Sequence, residues 1–146
     1  NNIAYNFIKQ KKHESAKDVL ESIKNNDSLK KKSIEFARII DNLGYVLLKL
    51  NDDESISFLN QSKQIREKED DIIGLTSSYM HFAEYYQKKD VNTAKKHALK
   101  AYEMAVKTNN PDDKIEALQF LTKLSNGNEH CHCRCRRYGL PSSGAT

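Results

Sequence analysis

The residues best suited to bind a metal lie close together near the end of the chain. They are His130, Cys131, His132, Cys133 and Cys135. Thiolate and imidazole groups are ligands for soft metals such as zinc and copper. Structural zinc sites usually separate paired cysteines by two residues, whereas here the gap is a single residue. We therefore expect no native metal site in this segment, and no cofactor elsewhere in the chain.

The composition of the chain changes abruptly around this segment. Asn126-Gly127-Asn128 is predicted to end the last helix, and residues 141–146 have the Pro, Ser and Gly content of a linker. We interpret residues 126–146 as a tail outside the fold, added for expression and foreign to the native chain.

The remaining histidines give little support for catalysis. His13, His81 and His97 are widely separated in the sequence, and none is matched to a Ser or Cys nucleophile. The chain also lacks a glycine-rich loop that could hold a phosphate. His81, which precedes Phe82, is better explained as a structural or groove-lining residue. The sequence predicts a protein that is not an enzyme.

The positive charge of the chain is concentrated in its tail. The net charge is +4, with 24 Lys and Arg against 20 Asp and Glu. Arg134, Arg136 and Arg137 account for three of the cations, so residues 1–129 hold 21 cations and 20 acids, a balance of +1. Lysine clusters such as residues 30–32 have acids nearby or lie at predicted helix ends. We therefore expect no nucleic-acid partner.

The sequence contains no segment typical of membrane insertion. No apolar run approaches the roughly 20 residues that a spanning helix needs. The first ten residues lack the charged start and apolar block of a signal peptide. Because the sequence does not begin with Met, we expect it to start inside a longer protein.

A period of 39 residues organises the first part of the chain. Leu43 corresponds to Phe82 and then to Leu121, and Gly44 corresponds to Ala83. A fixed period of this size predicts a solenoid of stacked helical hairpins. We predict one all-α domain over residues 1–125, with hairpins at about 1–25, 29–69 and 71–109 and a closing helix at 112–124.

Two features of these predicted helices can be checked directly. Inside a helix, Gly44 costs about 1 kcal/mol relative to Ala. The presence of glycine at this position is explained if another helix crosses closely there. In the closing helix, Ile115, Leu118 and Leu121 are predicted to form the apolar face.

The repeated residues resemble the tetratricopeptide repeat family over about residues 1–124. That motif has a large residue, Leu-Gly and an aromatic residue on its first helix, and Ala, a large residue and Ala on its second. The best copies here are Ile40, Leu43, Gly44 and Leu47 with Ser55, Leu59 and Ser62, and Tyr79, Phe82, Ala83 and Tyr86 with Ala94, Ala98 and Ala101. The departures are a longer period than the usual ~34 residues, Leu47 in place of an aromatic residue, and Ser at two Ala positions.

The resemblance implies a right-handed superhelix whose first helices line a concave groove that binds a peptide or a partner helix. The predicted groove residues are Tyr5, Arg38, Asp41, Tyr45, Lys49, Met80, Glu84 and Lys88. The alternative for each residue is a solvated surface without a partner. Some members of the family grip a chaperone's C-terminal carboxylate with a Lys/Asn clamp. Only Asn42 fits that clamp here, so we exclude it.

Two functions remain open from the sequence. The first is a non-catalytic protein-interaction module within a larger bacterial signalling protein, because the repeats resemble those ahead of histidine kinases or helix-turn-helix regulators. Its compartment would be cytoplasmic or periplasmic. The alternative is self-association through the open edge of the array near Ile3 and Phe7.

Overall fold

The computed structural model describes residues 2–26, 31 and 33–133, and the side chains of residues 3–26, 31 and 33–126. Within this part, the chain forms seven helices and no strand, so the protein is all-α. The helices are α1 (Asn2–Lys9), α2 (His13–Lys24), α3 (Ser33–Lys49), α4 (Ser55–Lys68), α5 (Ile72–Tyr86), α6 (Val91–Lys107) and α7 (Pro111–Cys133). None of the helices found there combines the length and the apolar character needed to cross a bilayer.

The last helix is longer than the sequence predicts. It continues through Asn126-Gly127-Asn128 to Cys133, so the predicted end of the closing helix at residue 124 is wrong. A single glycine inside a helix costs only about 1 kcal/mol, and the next proline is Pro141. The side chains of the His and Cys residues at 130–133 and the whole of residues 134–146 lie outside the described part, as does the predicted helix start at residue 29.

Short polar side chains begin three of the helices. Asp71 Oδ1 accepts from the backbone N–H of Gly74 at 2.9 Å, before α5. Before α6, Asp90 Oδ1 accepts from the backbone N–H of Thr93 at 3.3 Å. At α7, Asn110 Oδ1 accepts from two backbone N–H groups. These bonds satisfy donors that the first turn of a helix leaves free, so they fix where each helix begins.

Left-handed backbone residues end four of the helices. Lys11, Asn51, Asp70 and Asn109 have φ between 52° and 61°. Asn and Asp tolerate this conformation better than most residues, and one such residue after a helix reverses the chain direction. The short connections therefore bring successive helices side by side. Each helix packs against the next in chain order, and α3 also contacts α5.

Small residues allow close helix packing within the core. Gly44 on α3 is buried against α4, where an added Cβ would lie 2.8 Å from Leu59 Cδ2 and 3.1 Å from Leu59 N. Ala83 on α5 and Ala94 on α6 are also fully buried. The expectation that a helix crosses closely at Gly44 is confirmed.

The predicted apolar face of the last helix is wrong in two of its three residues. Ile115 and Leu118 are 53% and 48% exposed, and Leu121 is half-buried. Instead, Ala117 and Leu124 are buried. The neighbour of α7 is α6, and the small Ala117 side chain lets these two helices approach closely. The larger side chains consequently lie on the other face of α7.

Candidate interaction groove

A cavity of roughly 420 Å³ is lined by residues from alternate helices along the chain. Apart from Arg66 of α4, its lining comes from α1, α3, α5 and α7. We call this cavity and its rim the groove. Its lining residues are Tyr5, Ile8, Arg38, Asp41, Asn42, Tyr45, Arg66, Thr76, Ser77, Met80, His81, Glu84, Asp113 and Glu116.

A buried ionic cluster forms the wall of the groove where α3, α4 and α5 meet. Asp41 is only 1% exposed, and its Oδ2 lies 3.3 Å from Arg66 Nη1 and 2.8 Å from His81 Nδ1. The His81 contact has hydrogen-bond distance without hydrogen-bond alignment, so it acts mainly as an ion pair. The other carboxylate oxygen, Asp41 Oδ1, is buried without a hydrogen-bond partner.

Arg66 connects this cluster to the first turn of α5. Its Nη1 donates to the Gly74 carbonyl oxygen at 2.8 Å and to Ser78 Oγ at 2.9 Å, and its Nε lies 3.8 Å from Asp71 Oδ2. An added Cβ at Gly74 would lie 2.6 Å from Arg66 Nε, so a larger residue there would displace the guanidinium. A planar, permanently charged group with several donors suits this position between helices.

The charges of the cluster favour one another despite burial. Burial alone would favour neutral forms, but the Asp41 carboxylate outweighs this effect and raises the pKa of His81 above its ordinary value. In the same way, burial alone would raise the pKa of Asp41, but the positive charges of His81 and Arg66 outweigh that effect and lower it. Both groups are therefore charged together over part of the acidic pH range.

An aromatic and ionic layer lies over His81 at the groove rim. The ring centres of Tyr45 and His81 are 4.6 Å apart. Lys49 Nζ lies 2.6 Å from Glu84 Oε2 and 5.2 Å from the centre of the Tyr45 ring. Burial, together with the charge of Glu84, raises the pKa of Tyr45. These contacts hold the Tyr45 side chain of α3 against α5, where it lines the groove.

The α7 side of the groove carries two acids. Asp113 and Glu116 both line the cavity, and neither forms an ion pair with another described residue. Burial raises the pKa of both carboxyl groups, and the nearby acids add to the effect: Asp112 for Asp113, and Asp113 and Glu84 for Glu116. Neither acid has an ion-pair partner among the described residues, and the positive charge of His81 offsets only part of the repulsion at Glu116.

The structure brings most of the predicted groove residues together. Those that line the cavity are Tyr5, Arg38, Asp41, Tyr45, Met80 and Glu84. Lys49 lies beside them through its bond to Glu84, whereas Lys88, beyond the end of α5, is absent from the lining. Asp41 and Met80 are buried, so they form the wall and floor of the groove and not its exposed surface.

The sequence interpretation missed Arg66, Asp113 and Glu116. A signal for Arg66 was present, because Leu59, Ser62 and Arg66 follow the spacing of one helix face. A charged residue at an inward position predicts a buried partner. No comparable signal marked the two acids of α7, since acids in the first turn of a helix are common on exposed surfaces as well.

Comparison with family models, with curated proteins and with solved structures gives no match for this chain. Among the described residues, no group of three or more His, Cys, Asp and Glu side chains is arranged to hold a metal ion. The functional interpretation therefore depends on the geometry and charge of the groove itself.

The cluster predicts a specific pH dependence of stability. Folding raises the pKa of His81. The stabilisation that His81 contributes should therefore be complete below about pH 6.5 and should decrease as the pH rises through the pKa of His81 in the folded protein. Folding lowers the pKa of Asp41. Its contribution to the free energy of unfolding should therefore be present above about pH 3.9 and should decrease as the pH falls through the pKa of Asp41 in the folded protein. Urea unfolding from about pH 2 to about pH 9 covers both transitions.

His81→Gln isolates the histidine contribution. We expect this variant to lack the decrease in unfolding free energy that the wild-type protein shows as the pH rises above about 6.5. His97→Gln is the matched control, because His97 stacks on Phe82 and Tyr86 without an acidic partner. Parallel pH profiles for wild type and His81→Gln would contradict the assignment.

Proposed function

We propose that the chain is a tetratricopeptide-like solenoid, a right-handed superhelix of helical hairpins, that binds a protein segment without catalysing a reaction. Two observations support the architecture. Successive helices pack in chain order, and small residues lie buried at repeated positions such as Gly44 and Ala83. The repeat motif resembles the tetratricopeptide pattern, which supports the assignment further.

The observation that carries the proposed function is the composition of the groove lining. The first helix of every predicted hairpin, together with α7, contributes to a single cavity. In solenoid proteins, a surface built by equivalent helices of successive repeats is the usual site for an extended partner. A volume of roughly 420 Å³ can accommodate a few side chains of such a partner.

The chemistry of the lining favours a peptide or a partner helix as the ligand. Tyr45 and Ile8 supply aromatic and apolar contact area, and Arg38 is exposed beside them. Tyr, Met and Arg are enriched in protein interfaces relative to the rest of the surface. The resemblance of the repeats supports a role for this chain within a larger bacterial signalling protein, in the cytoplasm or the periplasm.

We expect substitution of Tyr45 to weaken binding strongly. Peptides selected on the immobilised protein from a random library displayed on phage provide the ligand, and fluorescence anisotropy gives the Kd. Loss of a central aromatic contact costs about 2 kcal/mol or more, so Tyr45→Ala should raise the Kd by about 30-fold. Arg38→Ala, at an exposed residue without a described partner, should cost about 3- to 10-fold.

Lys100→Ala is the control for this experiment, because Lys100 is exposed on α6 and does not line the groove. Its Kd should equal that of the wild-type protein. If the selected peptides bound the Tyr45 and Arg38 variants as tightly as the wild type, their site would lie outside the groove. Failure to select any peptide would count against the proposed function as a whole.

Self-association is the second candidate function, and exposed apolar residues at both ends of the array favour it. Ile3 on α1 is 63% exposed, next to the half-buried Phe7, and Ile115 and Leu118 are exposed on α7. If α1 of one copy packed against α7 of a second copy, these side chains would become buried.

Sedimentation velocity over a range of protein concentrations tests this candidate. Self-association predicts a sedimentation coefficient that rises with concentration for the wild-type protein and stays constant for Ile3→Glu. Glu14→Gln, an exposed change on α2, should behave as the wild type. A monomer at every concentration would exclude self-association through this edge.

A further inference from the structure

The charge of the groove is uneven. Glu84 on α5 and Asp113 and Glu116 on α7 are acids of the lining, and only Glu84 has a described cationic partner, Lys49. Arg38 is the exposed cation of the lining, and it belongs to α3. The two carboxylates on the α7 side of the groove thus have no ion-pair partner among the described residues.

An independent observation is an unpaired hydrogen-bond acceptor on a residue that lines the same cavity. Asp41 lines the cavity and is 1% exposed, yet its Oδ1 has no hydrogen-bond partner. A buried acceptor without a partner destabilises the structure, and it does so more strongly when it belongs to a charged group. Arg66 and His81 engage Asp41 through Oδ2, so neither satisfies this oxygen.

We propose that the groove accepts a basic side chain, Lys or Arg, from the bound peptide, with Asp113 and Glu116 as the ionic partners and Asp41 Oδ1 as a buried acceptor. This inference rests on the proposed peptide-binding function and specifies its ligand. An ammonium or guanidinium group carries several donors, so one cation can satisfy acceptors from more than one helix.

The alternatives for this site fit less well. An anionic ligand would meet Asp113 and Glu116 at the α7 side of the cavity, where like charges repel. An apolar side chain would leave the Asp41 oxygen without a donor. Burial and neighbouring acids raise the pKa of Glu116 in spite of the nearby His81, so its ionised form is disfavoured unless a further cation is present. A bound cation would relieve that repulsion.

The test is a peptide selection on two forms of the protein. A random peptide library displayed on phage is selected on the immobilised wild type and on the double variant Asp113→Asn/Glu116→Gln, which keeps the side-chain shapes and removes both charges. We expect peptides from the wild type to share a Lys or Arg at one position, and peptides from the double variant to lack this preference.

Binding of one wild-type-selected peptide then measures the contribution of the charge. Replacing its shared basic residue by norleucine should raise the Kd for the wild type at least ~10-fold, as expected for loss of a charge-assisted contact. The same replacement should have little effect on the double variant. Since the replacement is also made on the peptide and measured with the unaltered protein, the result does not depend on the stability of the variant. Glu103→Gln, an exposed change on α6, is the control and should behave as the wild type.

The possible outcomes separate this inference from the proposed function. Groove-binding peptides without a shared basic residue would overturn the inference and leave the peptide-binding function intact. A basic residue that is selected equally by the double variant would overturn the assignment of Asp113 and Glu116. If no peptide were selected on any form, the proposed function and this inference would both fail.

Discussion

Arg66→Met is expected to lower the free energy of unfolding by about 3–5 kcal/mol. The substitution removes the partner of a carboxylate that is almost completely buried, since Asp41 would keep only its contact with His81. It also leaves the Gly74 carbonyl and Ser78 Oγ without the donor they now share. Breaking a buried ion pair costs much more than the pair contributes, because the remaining charge has lost its compensation.

Urea unfolding followed by circular dichroism measures this effect, with Lys68→Met as the matched control on the same helix. Lys68 is exposed, so the change should stay within about 0.5 kcal/mol. A loss of less than about 1 kcal/mol in Arg66→Met would mean that Asp41 finds compensation elsewhere, and the cluster would not be the element that holds α3, α4 and α5 together.

Replacing the whole cluster by apolar residues should have a different result. Asp41→Leu/Arg66→Met/His81→Leu removes every charge together, and such exchanges are often neutral or stabilising. We expect the triple variant to recover most of the stability that Arg66→Met loses. The cluster would then be important for the position of the groove wall more than for net stability, since His81 and Asp41 both line the cavity.

The repeat period predicted the parts of the fold that depend on local packing. Gly44 is buried against another helix as expected, and the repeated small residues Ala83 and Ala94 are buried as well, because close helix packing requires small residues at regular positions. The turns were predictable for a related reason. Asp90 and Asn110 are residues that cap helices through their own side chains, so their effect depends on only a few neighbouring residues.

The chemistry of the groove was much less predictable, because it depends on residues far apart in the sequence. Asp41 was recognised as a groove residue, but its buried ion pair with Arg66 joins positions 25 residues apart on different helices. Nothing local distinguishes such an acid from an exposed one. The same holds for Asp113 and Glu116, whose position in the cavity depends on how α7 packs after α6.

Gly44→Val is expected to lower the free energy of unfolding by about 2–3 kcal/mol. Even a Cβ at this position would lie 2.9 Å from Leu59 Cγ and 3.1 Å from Leu59 N, so both the side chain and the backbone of α4 oppose it. Leu59 is fully buried, so it can move away only by displacing its own neighbours. The better helix propensity of a non-glycine residue recovers less than about 1 kcal/mol of this cost.

A double-mutant cycle with Leu59→Ala separates steric conflict from any general effect of valine at position 44. Leu59→Ala alone should cost about 2–5 kcal/mol through the cavity it leaves. In Gly44→Val/Leu59→Ala, the valine occupies part of that cavity, so the combined loss should be smaller than the sum by about 1–2 kcal/mol. Ser57→Val, an exposed valine on α4, controls for the intrinsic cost of valine in a helix. Strictly additive losses would show that α3 and α4 do not depend on Gly44 for their close approach.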